Sequence, residues 1–357
     1  MKTKIIVSFL LLIVIIMYSG CSDKAKKYNY TNYKKLERPN KTINLKSTKI
    51  NDFELLVPTA IGLIENYLII VDKKADKVIK IIDLKSKNLV TAFGKRGQGP
   101  SEFVGASDII QDPIKTNMFW VFDISARKLK KFDINKVVKN IFEPEKIILF
   151  KEGVGIPKQV IITENKIIGI GFFFKGRIAI YDLNGNYIKS LGKIPVNFKN
   201  ERFASQHSLG FEGKFVYKKK TKTIFIAPLL SDIIEKYDEN GVLCSTLHGP
   251  DLFFPEYEIV QAGEYYTITY NKKTRNGYVD ICYNKKFDNL FLLYSGKYFF
   301  DTNRNLFYNT VYVIGKDDKI IEKIKLDTGV KRIKMSNDGK IIYALSGNKI
   351  LKFTYKK

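Results

Sequence analysis

Short apolar segments separated by polar turns recur along the chain from residue 58 to its last residues. In the clearest copies, two successive apolar segments each end in an aspartate. The aspartates of the first two copies are Asp72, Asp83, Asp123 and Asp133. Segments of this length, rich in β-branched and aromatic side chains, predict β-strands. Because no long stretch of the body has helical apolar spacing, the pattern argues against parallel βαβ units.

The aspartates also set the length of the repeat. Those that close the third strand of each copy lie at residues 83, 133, 182 and 238, in steps of 50, 49 and 56 residues. Turn signals such as Asn240-Gly241 fall between the apolar strands, as hairpins require. Four-stranded repeats of about fifty residues are typical of β-propellers. We therefore predict an all-β fold, a six-bladed β-propeller with four-stranded antiparallel blades.

The two ends of the repeat array complement each other. The sixth copy supplies three strands before Lys357, while a spare strand at about residues 42–45 precedes the first copy. Pairing the spare strand with the last blade would leave no open edge where the ring closes. We therefore expect an N-terminal strand to close the ring. Residues 255–276 fit no copy, and we interpret them as an insertion between blades four and five, with a concealed seventh blade as the alternative.

The N-terminus has the pattern of a secretory signal. Lys2 and Lys4 precede an apolar run over residues 5–18, which is too short to span a bilayer but suits a signal peptide. The following Ser19-Gly20-Cys21 resembles the lipobox of bacterial lipoproteins, in which the cysteine carries diacylglycerol after cleavage. We predict a lipoprotein signal peptide at residues 1–20 and lipid attachment at Cys21. An ordinary signal peptide with an incidental cysteine is the alternative.

A polar segment follows this cysteine. Residues 21–41 are rich in Lys, Asn and Tyr and lack apolar periodicity, which predicts a tether between the lipid and a propeller at residues 42–357. Position 22 is Ser rather than Asp, and no acidic cluster follows it. By comparison with bacterial lipoproteins, these features favour the periplasmic face of the outer membrane, with surface exposure as the alternative.

Composition and charge narrow the classes of partner. Hydrophobic residues make up 45% of the 357 residues, enough for a core, which excludes a disordered chain. Lys and Arg number 61 against 36 Asp and Glu, a net charge of +25, but only 8 of the 61 are Arg. Proteins that read nucleic acids rely on the bidentate contacts of Arg, so we expect no nucleic-acid partner. The basic surface favours anionic partners such as acidic glycans.

The most specific motif follows the last strand of the first blade. Residues 93–103 read FGKRGQGPSEF and closely resemble the G-x-x-G-Q-G-P-G-E-[FY] loop of the six-bladed β-propeller lipoproteins of Bacteroidetes, which are related to NHL-repeat propellers. Ser101 stands where that family usually has Gly. The resemblance implies a six-bladed propeller on the outer membrane or the periplasmic face. It implies no established reaction.

This glycine loop has two interpretations. Its glycines permit close backbone approach, so that successive amides could hold an anion, and Arg96 is the candidate for an anion-binding side chain beside them. We favour a structural connection between blades, because the helix and Lys-Ser/Thr pair of a phosphate-binding loop are missing. The residues assigned to this structural loop are Gly94, Gly97, Gly99, Pro100, Glu102 and Phe103.

Residue types for catalysis are scarce. The two histidines, His207 and His248, cannot form a metal site of three or four ligands, and no Gly-x-Ser-x-Gly context marks a nucleophile. We therefore predict no metal, no cofactor and no catalytic residue, and we favour a binding protein over an enzyme.

The predicted function is a lipid-anchored binding or interaction module of the cell envelope, monomeric, for a glycan, a peptide or an envelope protein. The alternative is a propeller hydrolase or lyase that acts on a polysaccharide or peptide with carboxylates in the channel.

Overall fold

The computed structural model describes residues 28, 30, 33–151, 153–197, 201–302 and 307–356. The predicted signal peptide at 1–20 and the predicted lipid attachment site at Cys21 lie outside the described residues. Within the described ranges, no helix is long and apolar enough to cross a membrane.

Strands account for most of the described chain, and they form six blades in sequence order. Three short strands come first: β1 (Tyr33–Lys35), β2 (Thr42–Leu45) and β3 (Ser47–Lys49). The strands of blade one are β4 (Pro58–Ile64), β5 (Tyr67–Asp72), β6 (Ile79–Asp83) and β7 (Leu89–Phe93). Those of blade two are β8 (Ala106–Gln111), β9 (Met118–Asp123), β10 (Lys128–Asp133) and β11 (Lys146–Leu149). Those of blade three are β12 (Gly155–Ile162), β13 (Ile167–Phe173), β14 (Ile178–Tyr181) and β15 (Tyr187–Leu191).

The second half of the chain continues the series. Blade four contains β16 (Gly213–Lys218), β17 (Thr223–Pro228), β18 (Ile233–Asp238) and β19 (Leu243–His248). A separate hairpin, β20 (Glu258–Ala262) and β21 (Tyr265–Thr269), follows it. Blade five contains β22 (Tyr278–Asn284), β23 (Asn289–Tyr294), β24 (Tyr308–Ile314) and β25 (Ile320–Val330). Blade six begins with β26 (Arg332–Met335), β27 (Ile341–Ser346) and β28 (Lys349–Thr354).

Helical segments are short and lie in connections. They are α1 (Ile134–Val137), α2 (Ala204–Gly210) and two 3₁₀ turns, Glu201–Phe203 and Phe300–Thr302. The helix α2 lies between blades three and four, where it contacts β13 and β21. The predicted insertion at residues 255–276 is confirmed as a two-stranded hairpin rather than a seventh blade.

The first strand of each blade lines the centre of the ring. The inner strands contact one another in the order β4, β8, β12, β16, β22, β26 and back to β4. Six apolar clusters fill the junctions between successive blades, including the junction between blade six and blade one. Each blade buries both faces of its sheet in this way because it packs against its two neighbours. The predicted six-bladed propeller is confirmed.

An N-terminal strand closes the ring, as predicted, but it is not the segment at residues 42–45. The strand β3 pairs antiparallel with β28 and completes blade six, whereas β2 pairs parallel with β25 as a fifth strand of blade five. Ile43 and Leu45 marked β2 as the apolar candidate, and they pack beside the cluster between blades five and six. The closing strand needs no such pattern, because it pairs mainly through its backbone at an edge.

The contacts of the body also reach N-terminal of residue 42, where the sequence placed the start of the propeller. The strand β1 pairs parallel with β19 of blade four, and the neighbouring Leu36 is buried. The Tyr28 ring stacks on Phe254, and its hydroxyl donates to the Pro255 carbonyl at 2.6 Å. Part of the polar segment assigned to a tether therefore packs against blade four.

Buried carboxylates fix the connections between blades. Asp123, at the end of β9, accepts hydrogen bonds from the amides of Val104 at 2.7 Å and Gly105 at 2.9 Å in the connection before β8. Asp72 and Asp232 accept amides of neighbouring connections in the same manner. Buried carboxylates and amides are costly unless they are paired, so these contacts explain why strands of successive copies end in Asp.

Candidate functional site

A cavity of about 250 Å³ lies in the channel at the centre of the ring. Residues from all six inner strands line it. Because strands alternate in direction within a blade, every inner strand begins on the face that carries the connections between blades. One end of the channel is therefore lined by the first residues of the inner strands and the other end by their last residues. The side chains at the two ends differ in chemistry.

Irregular backbone places polar side chains near the start of the channel. The register shifts just before Ala60, Asp108, Gln159 and Asp280, so four of the six inner strands are bulged at corresponding points. A bulge redirects the side chain that follows it, and all four of these residues line the cavity. The other two blades contribute Lys214 and Arg332. The charged layer is the set Asp108, Gln159, Lys214, Asp280 and Arg332.

Three members of the charged layer tie neighbouring blades together. The Gln159 side-chain oxygen accepts from the Phe215 amide at 3.1 Å, which joins blades three and four. Asp280 accepts from the Ile333 amide at 2.9 Å, which joins blades five and six. Arg332 Nε donates to the Thr59 carbonyl at 3.1 Å, which joins blades six and one. Part of the charged layer therefore stabilises the contacts between blades.

Lys214 and Asp280 have strongly perturbed environments. Burial lowers the pKa of Lys214, and the positive charge of Arg332 lowers it further, while Asp108, Asp280 and Glu212 act in the opposite direction. Burial raises the pKa of Asp280, although the charges of Arg332 and Lys214 oppose that shift. Perturbed groups that converge on one cavity are the physical mark of a functional site.

The other end of the channel is basic. Lys285 and Lys334 line it together with the neutral polar residues Tyr217 and Asn337. Burial lowers the pKa of Lys285, and the positive charges of Lys334 and Lys219 add to the effect. Along its whole length, the cavity is therefore lined by four cationic side chains, Lys214, Lys285, Arg332 and Lys334, and by two carboxylates, Asp108 and Asp280.

The glycine loop of residues 94–103 packs between blades one and two. Phe103 is 1% exposed and belongs to the apolar cluster at that junction. Gly94 has φ +80°, and a Cβ there would lie 2.6 Å from ring carbons of Phe103, so only glycine fits. Pro100 lies exposed in the turn of the same loop.

Two amides that could hold an anion are bonded within the loop, and Lys130 of β10 bonds two carbonyls of the loop. Glu102 Oε2 accepts from the Gly99 amide at 2.9 Å, and the Gly97 amide donates to the Phe103 carbonyl at 3.2 Å. Lys130 donates to the Gly99 carbonyl at 2.8 Å and also to the Glu102 carbonyl. Arg96 is exposed on this loop and does not line the cavity.

The histidines lie away from the channel. His207 Nδ1 is 2.8 Å from the Tyr257 hydroxyl in the insertion, and His248 is buried beside Asp232 and Tyr33. Over the part of the chain that the structure describes, no three His, Cys, Asp or Glu side chains are grouped to hold a metal ion.

The sequence analysis missed the charged layer. Its members are single polar residues near the start of otherwise apolar strands, separated by roughly fifty residues and brought together only by the ring. A usable signal exists in the repeats: the first strand of most blades carries one charged or amide side chain near its start.

Comparisons with known proteins agree with this architecture. A family model described as TolB-like 6-blade propeller-like matches residues 37–338. The chain is also similar to the crystal structure of a DUF4221 family member from Bacteroides vulgatus, with a TM-score of 0.56 and 11% identity over 93% of this chain and 98% of that one. No curated protein matches the sequence. The fold supports a binding or interaction module in general, and the extent of the family match shows that the chain belongs to the TolB-like six-bladed propellers.

Proposed function

We propose that this protein is a lipid-anchored binding module of the cell envelope whose channel binds an acidic glycan. The observation that carries the proposal is the excess of positive charge in the cavity, four cationic side chains against two carboxylates. Low-dielectric walls strengthen the field of such a cluster and raise the local concentration of anions.

Within the described part of the chain, the cationic side chains of the cavity have no direct ion-pair partner. Among the described residues, no carboxylate lies within ion-pair distance of Lys214, Lys285, Arg332 or Lys334. Many surface lysines do have such a partner, as Lys136 has Glu145 at 2.5 Å. Cations that line a cavity without a direct ion-pair partner gain from an anionic ligand, because the ligand supplies that partner.

The remaining lining suits a hydroxylated ligand. Gln111, Tyr217 and Asn337 add neutral hydrogen-bonding groups along the cavity wall. A few such groups among apolar walls orient a small molecule, and sugar hydroxyls are complementary to them. The volume of about 250 Å³ accommodates the terminal sugar of an acidic chain rather than several sugars.

Removing charge from the basic end of the channel should weaken binding of an acidic oligosaccharide. We expect the double variant Lys285→Gln/Lys334→Gln of the full chain to bind trigalacturonate about tenfold more weakly than the wild type, because the acidic ligand loses two of the cations that attract it. Isothermal titration calorimetry of the detergent-solubilised chain measures this. The matched control, Lys73→Gln/Lys74→Gln, removes the same net charge from an exposed turn. Equal losses in both double variants would contradict a channel site.

A specific observation also favours a second candidate, a propeller hydrolase or lyase. Asp108 and Asp280 line the same cavity, and burial raises the pKa of Asp280 so that it retains a proton more readily than an ordinary carboxyl. One protonated and one ionised carboxyl form the usual pair for glycoside cleavage. Chromatography of the same binding mixtures decides between the candidates: intact trigalacturonate supports binding alone, and shortened products that Asp280→Asn abolishes support the enzyme.

The lipid anchor is a separate part of the proposal. We expect the wild-type chain, expressed in a bacterium, to incorporate radioactive fatty acid, and Cys21→Ala to incorporate none, because the thiol of Cys21 is the proposed attachment site. Membrane fractionation should then find the wild type in the outer membrane, and added protease should not reach it in intact cells if it faces the periplasm. Equal labelling of both chains would refute the anchor.

A further inference from the structure

We propose that Lys214 is a reactive amine that binds a small oxo acid covalently, as an imine, inside the charged layer. An oxo acid here means a carbonyl compound with a carboxylate on the adjacent carbon. The inference shares the channel with the proposed function but does not require that a glycan binds there.

Among the residues that the structure describes, Lys214 lacks the partners that enclosed lysines outside the cavity have. Lys130 donates to two carbonyls of the glycine loop, Lys131 pairs with Asp112 at 2.7 Å, and Lys218 pairs with Asp288 at 3.3 Å. Lys214 is half-buried and lines the cavity, and within the described ranges its ammonium has neither a hydrogen-bond acceptor nor an ion-pair partner. An enclosed amine without an acceptor holds its proton weakly and offers its lone pair to a ligand.

Burial and one neighbouring cation outweigh the carboxylates around Lys214. Burial, the largest effect, and the guanidinium of Arg332 both lower its pKa; Asp108, Asp280 and Glu212 oppose them without cancelling the shift. A larger fraction of Lys214 than of an exposed lysine is therefore neutral at a given pH. Desolvation beside a second cation is one of the recognised ways in which proteins activate an amine nucleophile.

Arg332 defines which carbonyl compound fits. Its Nε and Nη1 atoms donate to backbone carbonyls, and its side chain lines the cavity with Lys214. A guanidinium has donors in a planar fork that match a carboxylate. A ligand that meets both residues carries a carboxylate for Arg332 and a carbonyl carbon for Lys214. The smallest molecules with both groups are 2-oxo acids, and the cavity volume suits a molecule of that size.

The chemistry balances without any further reactant. The neutral Lys214 amine attacks the carbonyl carbon, a C–N bond forms, and an amine proton passes to the carbonyl oxygen to give a carbinolamine. The C–O bond then breaks, and the oxygen leaves as water with the second amine hydrogen, giving C=N. Asp280 lines the same cavity and, with its raised pKa, holds the proton that assists the departure of hydroxide. The step reverses by addition of water.

Reductive trapping with glyoxylate tests the proposal. The full chain is incubated with glyoxylate and cyanoborohydride near neutral pH, and peptide mass spectrometry maps the carboxymethyl groups. We expect Lys214 to be modified severalfold more than the exposed Lys74, since its lowered pKa leaves a larger fraction of the amine neutral. The Lys214→Arg variant should lose this adduct, and the control Lys74→Arg should keep it. Modification spread evenly over exposed lysines would overturn the proposal.

A second arm tests the role of Arg332. Acetaldehyde has the carbonyl but not the carboxylate, so wild-type Lys214 should be trapped by glyoxylate in preference to acetaldehyde. Arg332→Gln should abolish that preference, and an unchanged preference would refute the assignment of the carboxylate to Arg332. The adduct map of the wild type needs no variant, so a variant that fails to fold leaves the first test intact. Trigalacturonate binding is measured without reductant, which keeps a failure of the proposed function distinguishable from a failure of this inference.

Discussion

Replacing Glu235 with alanine is expected to lower the free energy of unfolding by about 3–5 kcal/mol. Glu235 Oε2 accepts from Arg177 Nε at 2.8 Å, and the two side chains are 0% and 1% exposed. Arg177 precedes β14 and Glu235 lies in β18, so the pair joins blades three and four inside their shared core. The alanine variant leaves the Arg177 guanidinium buried without its counter-charge, and that desolvation cost dominates.

Further hydrogen bonds hold this pair in place. Arg177 Nη2 donates to the Phe211 carbonyl at 2.8 Å, and the Tyr237 hydroxyl donates to Glu235 Oε2 at 2.9 Å. The negative charge of Glu235 raises the pKa of Arg177 against the effect of burial, so the guanidinium stays charged. Removing Glu235 therefore leaves two buried donors, Arg177 Nε and the Tyr237 hydroxyl, without their acceptor.

Urea unfolding followed by circular dichroism measures the effect. The double variant Arg177→Met/Glu235→Leu should regain part of the lost stability, since no buried charge is then unpaired, while the Tyr237 hydroxyl and the Phe211 carbonyl still lose their partners. Breaking the exposed pair of Lys136 and Glu145 with Lys136→Ala serves as the control and should change the unfolding midpoint little. If Glu235→Ala unfolded at the wild-type urea concentration, the pair would not stabilise this junction.

The sequence predicts the blades well because their signals are local. Apolar strands, strand-closing aspartates and Asn-Gly turns each need only a few consecutive residues, and their repetition fixes the number of blades. Asp72 and Asp123 belong to this local pattern, and both accept hydrogen bonds from backbone amides of the preceding connection.

The sequence does not predict features that depend on residues far apart along the chain. The apolar Ile43 and Leu45 favour β2 as the closing strand, but the polar β3 closes the ring through its backbone. The glycines beside Arg96 are its neighbours in sequence, and neighbours along the chain do not reveal which residues line the channel. Lys214 and Arg332 come from blades four and six, so only the closed ring brings them to one cavity.

Removing the closing strand is expected to abolish the cooperative fold. A chain that begins at residue 51 lacks β3, which leaves the edge of β28 unpaired and removes Ile50 from the cluster between blades six and one. The Ile50 amide, which donates to the Ile350 carbonyl at 2.9 Å, is lost as well. An unpaired strand edge beside an opened core pairs with other copies of the chain, so we expect large aggregates.

A chain that begins at residue 46 is the matched control. It keeps β3 but lacks β1 and β2, the fifth strands of blades four and five, together with the buried Leu36. Those blades retain their own four strands, so this chain should remain monomeric and unfold cooperatively at a moderately lower temperature. Size-exclusion chromatography with light scattering and thermal unfolding compare the two chains. Because they differ by five residues that pair with one blade, a chain from residue 51 that matched the control in mass and melting temperature would show that the ring does not depend on β3 for closure.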